Sequence, residues 1–386
     1  MQIRTSIAAA LLALALGGSS SAWGMPAAEP FTSASAAGPQ NETERRAWGQ
    51  SKELADTIAR SALIYKDSAL TAYVQAVADR LFPEFVGRVR VTILKSPHLN
   101  AFAIPDGHVY VNAGLVARFH NEAQLATVMA HEGIHFTHRH GYLSAKSVKD
   151  NSALIVFGGL IGIPILPELI AISSVFGFSR DMESEADDVG FQRLLRAGYD
   201  VREAPRTFEH LMRDVKLEEI KEPFFFSTHP KLKDRFDNMT RLSSQAAGGS
   251  DGTSREAYSK IVLQARLDTL DSLISMGRSK QVVAMLEEAQ TQAELPPQAR
   301  YYLGEAYRLR GDKGDLELAE GVYRQVIGAA PDYAPSYRAL GVVLLKAGRN
   351  ADAARQFEHY LALAPDAKDR KYVERYLRMA RAEGAQ

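Results

Sequence analysis

The stretch "VMAHEGIHFTHRHG" (128–141) places four histidines and one glutamate between His131 and His140. Within it, "HEGIH" fits the pattern H-E-x-x-H. On a helix, His131 and His135 lie one turn apart on the same face, where two imidazoles can bind one zinc ion. Glu132 lies beside them without ligating, so it can take a proton from a water at the metal and deliver it to a leaving amine. The pattern predicts a helix that carries two ligands and the general base of a catalytic zinc site.

A third ligand is predicted in "SRDMESEADDVG" (179–190). On a helix, Glu183, Asp187 and Gly190 share one face, and Glu185 points away from it. Glu183 then completes a two-His, one-Glu site with an open fourth position, and Asp187 can accept the N–H of a ligating histidine. Gly190 would allow two helices to approach closely. The alternative is a solvated acidic helix face.

The remaining histidines of the first stretch are less suited to the metal. His138 falls on the same face as His131 but about 10 Å further along the helix axis. His140 is expected on the opposite face, where it and Arg139 would be structural, and the histidines that do not bind the metal are expected to support the ligands or to pack in the core. The sequence therefore predicts two ligands and one base on this helix.

The residues before this helix alternate in the manner of strands. "RVRVTIL" (88–94) reads as a strand, and "AFAIPDGHVYV" (101–111) as a hairpin that turns at Asp106-Gly107. The helix is expected to begin after Asn121, which can cap it with Gln124 as the second half of a capping box, and to end at Gly141.

The chain begins as an exported protein would. Residues 1–22 have the charged, apolar and small-residue order of a cleavable signal peptide, and the run from Ile7 to Leu16 is too short to span a bilayer. An uncleaved anchor is the alternative. The chain has no cysteine, which excludes disulfides and lipoprotein acylation. We expect a periplasmic protein whose residues 23–43 form a flexible mature N-terminus.

Composition divides the rest of the chain of 386 residues. Residues 44–242 are predicted to form the metal-binding domain, 243–254 ("SSQAAGGSDGTS") a linker, and 255–386 a repeat domain. Pro296, Pro331 and Pro365 recur at steps of 35 and 34 residues, with Leu-Gly and Ala positions that resemble tetratricopeptide repeats. Such helical hairpins stack around a partner-binding groove. An ordinary helical domain without a binding role is the alternative.

Two further features bear on location and partners. The apolar stretch 153–178 is interrupted by Pro164, Pro167 and Glu168, which predicts a broken helical pair, buried or lying over the active site; a transmembrane segment is the alternative. The formal net charge is zero, so nothing favours binding to a phosphate backbone, and nucleic acid is set aside.

Together these motifs resemble the HtpX-like and CAAX-prenyl-protease-like zinc metallopeptidases. The resemblance covers about 44–237 and rests on "NAFAIPDGHVYVNAGLV", "MAHEGIHFTHRHG", "SRDMESEADDVG" and "STHP". The signal and the repeats make the chain most similar to the periplasmic branch that enhances β-barrel assembly. The resemblance implies an α+β, mainly α-helical fold: a zincin (gluzincin-type) domain with a small β-sheet, then a tetratricopeptide-like α-solenoid. It also implies one zinc per chain on His131, His135 and Glu183, with Glu132 as general base.

The same comparison suggests further site residues. Asn100, Ala101, Phe102 and Ala103 would form an edge strand that binds an extended substrate by backbone hydrogen bonds, unless the hairpin is interior. His229 would donate to the oxyanion or act as a fourth zinc ligand in a closed resting state, or it only fixes a loop. Arg235 would assist the oxyanion or pair with an acidic neighbour.

The expected function is that of a periplasmic zinc endopeptidase in which zinc-bound water attacks the peptide bond. Its substrates would be misfolded or stalled polypeptides, above all outer-membrane proteins. The repeats would dock substrate or the outer-membrane assembly machinery, and 153–178 could supply a peripheral membrane contact. One alternative is a chaperone or assembly factor that acts mainly through the repeats. Another is a membrane-embedded protease.

Overall fold

The structure is a computed structural model that describes residues 28–147, 178–217, 232–246, 249–250, 252, 255–287 and 295–383. Helices predominate in these residues and the strands form one small sheet, which confirms the mainly helical α+β class. The helices are α1 Glu42–Arg60, α2 Ser68–Leu81, α3 Ala113–Arg118, α4 Glu122–Thr137, α5 His140–Ser147, α6 Arg180–Arg196, α7 Glu203–Leu217, α8 Leu232–Ser244, α9 Arg255–Ile261, α10 Leu263–Ser275, α11 Ser279–Leu286, α12 Pro297–Arg310, α13 Asp315–Ala329, α14 Ala334–Lys346, α15 Asn350–Leu363 and α16 Arg370–Glu383. The strands are β1 Arg90–Leu94, β2 Ala101–Ala103 and β3 His108–Asn112.

The sheet contains the predicted hairpin. β3 lies in the centre, parallel to β1 and antiparallel to β2. The hairpin turns at Gly107, whose φ is 91° and where a Cβ would lie 2.4 Å from the Arg88 carbonyl oxygen, so only glycine fits. Among the described residues, β2 has β3 on one side and no strand on the other. β2 is therefore an edge of the sheet in the described part of the chain, and its use as a substrate strand stays a prediction.

The helix that carries "HEGIH" is α4, and every residue in it is buried. Asn121 caps it by accepting the backbone N–H of Gln124, and the Gln124 side chain accepts the N–H of His120 rather than that of Asn121. The cap was predicted, but the end of the helix was not. α4 stops at Thr137, before Gly141, and Arg139 has a left-handed φ of 61°.

A buried ion pair explains this early stop. Arg139 donates to Glu44 on α1 through Nε at 2.9 Å and Nη2 at 2.6 Å. Arg139 and Glu44 are 9% and 1% exposed, so the pair holds the chain in a conformation that a non-glycine residue rarely adopts. The chain reverses there, and α5 begins at His140.

The N-terminal segment is folded from Phe31 onward, although its composition predicted flexibility. Phe31 is buried against Trp48 on α1 and Phe136 on α4, with ring centroids 6.4 and 5.6 Å away. Its N–H donates to the Thr137 carbonyl. Burying such a ring stabilises by about 1.5–3 kcal/mol, and hydrogen bonds from the Ala34 N–H to the Glu84 carbonyl and from Arg88 to the Ala34 carbonyl add to the anchor.

The first core also extends beyond the predicted linker. α8 continues to Ser244, and Ser250 pairs with Tyr199 in an isolated bridge. Tyr258, on α9, is fully buried in the same core as α4 and donates to the Val116 carbonyl. The chain passes from the first core to the second within α10, later than the composition predicted.

The second core is consistent with a helical solenoid built from helical hairpins. In the pairs α12/α13 and α14/α15, a glycine on the first helix faces an aromatic ring on the second. A Cβ at Gly304 would lie 2.5 Å from the Tyr323 ring, and one at Gly341 would lie 2.6 Å from the Phe357 ring. The Leu-Gly positions thus provide space for a ring in each hairpin.

The predicted apolar pair at 153–178 lies outside the described residues apart from Phe178. Of the helices in the described ranges, none has both the length and the apolarity to cross a membrane.

Candidate metal centre

Three side chains that are distant in sequence meet between α4 and α6. His131 Nε2 lies 2.9 Å from His135 Nε2, and the Glu183 carboxylate lies 3.5 Å from the first and 3.4 Å from the second. All three residues are buried, and their donor atoms lie within 4.8 Å of one another. The structure brings together the three residues that the sequence predicted as ligands.

This donor set fits a zinc ion. Tetrahedral zinc with bonds of about 2.0–2.2 Å places neighbouring ligand atoms roughly 3.3–3.6 Å apart; the two Glu183 distances fall in this range, and the distance of 2.9 Å between the two histidine nitrogens is shorter. Burial and the Arg235 charge lower the pKa of His131, but Glu183 and the Asp187 hydrogen bond outweigh them and raise it to about 9. The Glu183 carboxylate thus favours a positive charge beside the two imidazoles, which a bound divalent cation would supply.

The two helices that carry the three candidate ligands approach closely at Gly190. A Cβ there would lie 3.4 Å from the carbonyl carbon of Ala130 and from the nitrogen of His131. This is close to ordinary contact, so an alanine would also fit. A tighter approach, which the sequence did not indicate, occurs at Gly133 inside "HEGIH", where a Cβ would lie 2.2 Å from the Phe82 ring.

Glu132 lies beside the ligands and is fully buried. Its Oε2 accepts the backbone N–H of Ala103, on the edge strand β2, at 3.0 Å. The strand thus positions the carboxylate as well as bordering the site. The sequence does not indicate this contact, because a backbone donor leaves no side-chain signal.

On the His131 side, Asp187 and Arg235 form a buried ion pair. Asp187 Oδ1 lies 2.9 Å from His131 Nδ1, which is the contact predicted for Asp187. Arg235 on α8 donates to Asp187 from Nη2 at 2.7 Å and from Nε at 2.9 Å, and its guanidinium lies 4.6 Å from the centre of the Phe208 ring. Burial raises the pKa of Asp187, but Arg235 and His131 outweigh burial and lower it, so the carboxylate stays charged.

Of the two roles considered for Arg235, the structure favours pairing with an acidic neighbour. Its guanidinium Nη2 lies 2.9 Å from His131 Nδ1, and its Nη1 lies 3.6 Å from the Glu183 carboxylate. The role of oxyanion donor stays a prediction.

On the His135 side, His140 contacts the ligand directly. The two Nδ1 atoms are 2.9 Å apart, and the Phe178 ring stacks on His135 at 3.7 Å. His140 Nε2 lies 3.2 Å from Glu185, and His138 Nδ1 lies 2.8 Å from the same carboxylate. Burial lowers the pKa of His140 to about 4, so its imidazole is neutral at pH 7.

The prediction that His140 points to the opposite face is therefore wrong. It assumed that the helix continues to Gly141, whereas the left-handed Arg139 reverses the chain and returns His140 to His135. Glu185 was correctly placed off the Glu183 face, but its contact with the two histidines was not foreseen.

The other predicted site residues divide into two groups. Asn100, Ala101, Phe102 and Ala103 lie on or next to β2, and all are buried. His229 lies outside the described residues.

Comparison with known proteins gives a family match over part of the chain. The model of Peptidase family M48 matches residues 65–243. The mitochondrial metalloendopeptidase OMA1 of Arabidopsis thaliana is 36% identical over 160 residues, which cover 40% of this chain and 31% of that protein. The beta-barrel assembly-enhancing protease of Escherichia coli (strain K12) is 27% identical over 264 residues, which cover 62% of this chain and 52% of that protein.

The chain thus spans about half or less of the length of these relatives. The family match includes all three converging side chains and the glutamate beside them. Residues 65–243 of this chain therefore form a peptidase domain of family M48.

Proposed function

We propose that the protein is a zinc-dependent endopeptidase whose metal ligands are His131, His135 and Glu183. The observation that carries the proposal is the buried convergence of these side chains, with the Glu132 carboxylate beside them. Zinc bound there would polarise the scissile carbonyl and activate a water as the nucleophile.

Glu132 is the proton carrier in this proposal. Its Oε2 is anchored by the Ala103 N–H, so the carboxylate is fixed at one end and keeps its position while it exchanges a proton. It takes a proton from the attacking water and later delivers it to the leaving amine.

We further propose that the substrate is an extended polypeptide that adds to β2. Support comes from the place of β2 at the edge of the sheet and from the contact between its last residue and Glu132. Backbone pairing along an edge does not depend on side-chain identity, so such a site selects unfolded chains.

The finer proposals are a periplasmic location and outer-membrane protein substrates, with the repeats docking substrate or the assembly machinery. They rest on the predicted signal peptide, on the solenoid-like second core, and on relatives named for enhancing β-barrel assembly. Cell fractionation of the full chain tests the location. Digestion of an unfolded outer-membrane protein, compared with its folded form, tests the substrate.

The activity is tested by replacing Glu132 with Gln. Without the carboxylate, cleavage of casein is expected to fall by about 10²–10⁴-fold, because that is the usual contribution of a positioned general base. Zinc content should stay at the wild-type value, since Glu132 is not a ligand.

A matched control removes an exposed carboxylate from the neighbouring helix α6, with Asp181→Asn, and should cleave casein at the wild-type rate. Casein cleavage by the Glu132→Gln variant at the wild-type rate contradicts the proposed mechanism. Rescue of a deletion strain by that variant would instead favour the assembly-factor alternative, in which the second core carries the function.

A further inference from the structure

A second group of titratable side chains lies against the metal ligands. His135 Nδ1 is 2.9 Å from His140 Nδ1, and His140 Nε2 is 3.2 Å from Glu185 Oε2. His138 Nδ1 is 2.8 Å from Glu185 Oε1. His140 thus lies between a proposed zinc ligand and a carboxylate, with one ring nitrogen toward each.

The positions of the protons in this row follow from the ligand. A neutral histidine that binds metal through Nε2 carries its proton on Nδ1. His135 Nδ1 therefore donates to His140 Nδ1, which must be an acceptor. A neutral His140 then carries its own proton on Nε2 and donates it to Glu185.

We propose that His140 and Glu185 form a positioning relay that holds His135 in the tautomer and orientation needed to bind zinc. The inference rests on the proposed function, since it takes zinc as the ion. It assigns to His135 a support comparable to that which Asp187 and Arg235 provide for His131.

The backbone supports this assignment independently of the hydrogen bonds. His140 owes its place to the left-handed Arg139, which is held by its buried ion pair with Glu44. The Phe178 ring stacks on His135 with an angle of 12° between the planes, which limits rotation of the ligand. The structure thus fixes both rings that share the proton.

The same cluster has the composition of a second metal site, because donor atoms of His138, His140 and Glu185 lie within 4.8 Å of one another. The positions of the protons on the histidine rings argue against a second metal site. If His140 bound a second metal through Nε2, its proton would move to Nδ1 and face the Nδ1–H of His135. Two N–H groups cannot point at each other across 2.9 Å.

The test is the affinity for zinc of the purified full chain, measured by competition with a chelator of known affinity. His140→Phe fills the space without accepting or donating, and is expected to weaken zinc binding by about 10–100-fold. His140→Asn places an amide oxygen near the lost Nδ1 and should recover most of the affinity. If the His140 ring only filled space, the Asn variant would not bind zinc more tightly than the Phe variant.

His138→Ala is the matched control, because His138 also contacts Glu185 but has no place in the proposed relay. It should bind one zinc per chain with nearly wild-type affinity. Thermal unfolding of each variant in EDTA shows whether it folds. If His140→Phe does not fold, Glu185→Ala takes its place, since Glu185 is a half-exposed residue, and should weaken zinc binding several-fold.

The outcomes separate the relay from the activity. Wild-type zinc affinity in His140→Phe, or equal losses in the Phe and Asn variants, overturns the relay and leaves the endopeptidase proposal intact. Two zinc ions in the wild type and one in His138→Ala also overturn it, in favour of a second metal site. A wild-type chain that binds no zinc overturns the proposed function itself, and the relay with it.

Discussion

Asp187 and Arg235 show what a single buried pair does at this site. Both side chains are almost completely buried, at 2% and 5% exposure. Taking two charges out of water is costly, and their attraction compensates only when the remaining hydrogen bonds are well formed. Here the Arg235 fork engages the carboxylate, and the same carboxylate contacts His131. The pair is therefore better explained by orienting a ligand than by stabilising the fold.

Replacing Arg235 with Met tests this explanation. In the zinc-free chain the change removes one of the two cations beside Asp187, because a pKa of about 9 keeps His131 protonated at pH 7, and it should lower the free energy of unfolding by about 1–3 kcal/mol. Urea unfolding in EDTA measures it.

The double variant Asp187→Leu/Arg235→Met removes both charges and the acceptor beside His131 Nδ1, and should recover part of that stability, while zinc affinity stays reduced because His131 has lost its partner. Full zinc affinity in the double variant contradicts the orienting role.

Helix α4 shows how one element can serve both packing and chemistry. All of it is buried, and the side of the helix at Gly133 packs against Phe82. The glycine inside "HEGIH" is therefore required by packing, because the Phe82 ring occupies the space of a Cβ. This approach helps to fix the depth at which His131 and His135 enter the core.

Gly133→Ala is expected to destabilise the chain by about 1–3 kcal/mol, because the added methyl group overpacks a filled core. Gly190→Ala is the matched control on α6. Its Cβ would lie 3.4 Å from the nearest atoms, and alanine is the better helix former by about 0.5–1 kcal/mol, so stability should be retained or rise. Thermal unfolding of the zinc-free variants measures both. Equal stability of the two variants contradicts the packing argument, and Phe82→Leu should relieve the strain of Gly133→Ala.

At the scale of the whole molecule, the two cores share one helix. Val262 and Ala265 belong to the first core, and Leu270 and Leu273 belong to the second. Arg266, between them, donates to the Ala117 and Phe119 carbonyls at the end of α3 at 3.1 and 3.0 Å. Those carbonyls lie at a helix C-terminus, where a cation is favourable. The first core is therefore complete only with residues that lie beyond the predicted linker.

Truncation tests this division. A chain that ends at Ser254 loses the fully buried Tyr258 and the contacts of Arg266. The free energy of unfolding of its peptidase core should be at least about 3 kcal/mol lower than in a chain that contains both residues. A chain that ends at Ser275 keeps both and should unfold at a clearly higher temperature. Calorimetry of the two zinc-free chains measures the difference. Equal unfolding temperatures would place the boundary at the predicted linker after all.

The local features of this protein could be predicted because they depend on short spacings. The histidines of "HEGIH", the capping pair Asn121 and Gln124, and the turn at Gly107 follow from helix and hairpin periodicity. The proximity of Glu183 required only that its motif form a helix facing the first. The helical spacing of α4 could not be extended past Arg139 to place His140, because the helix ends before that residue.

The sequence by itself determined which residue types are available for a metal and a proton, and on which elements they stand. Only the tertiary structure decided what surrounds them: Arg139 paired with Glu44, His140 returned to His135, the Ala103 N–H on Glu132, and α9 closing the first core. The physical reason is the distance along the chain over which each effect acts. Periodicity is a property of neighbours along the chain, whereas a buried ion pair or a backbone donor is provided by a distant segment, and only the folded core brings such a segment within hydrogen-bonding distance.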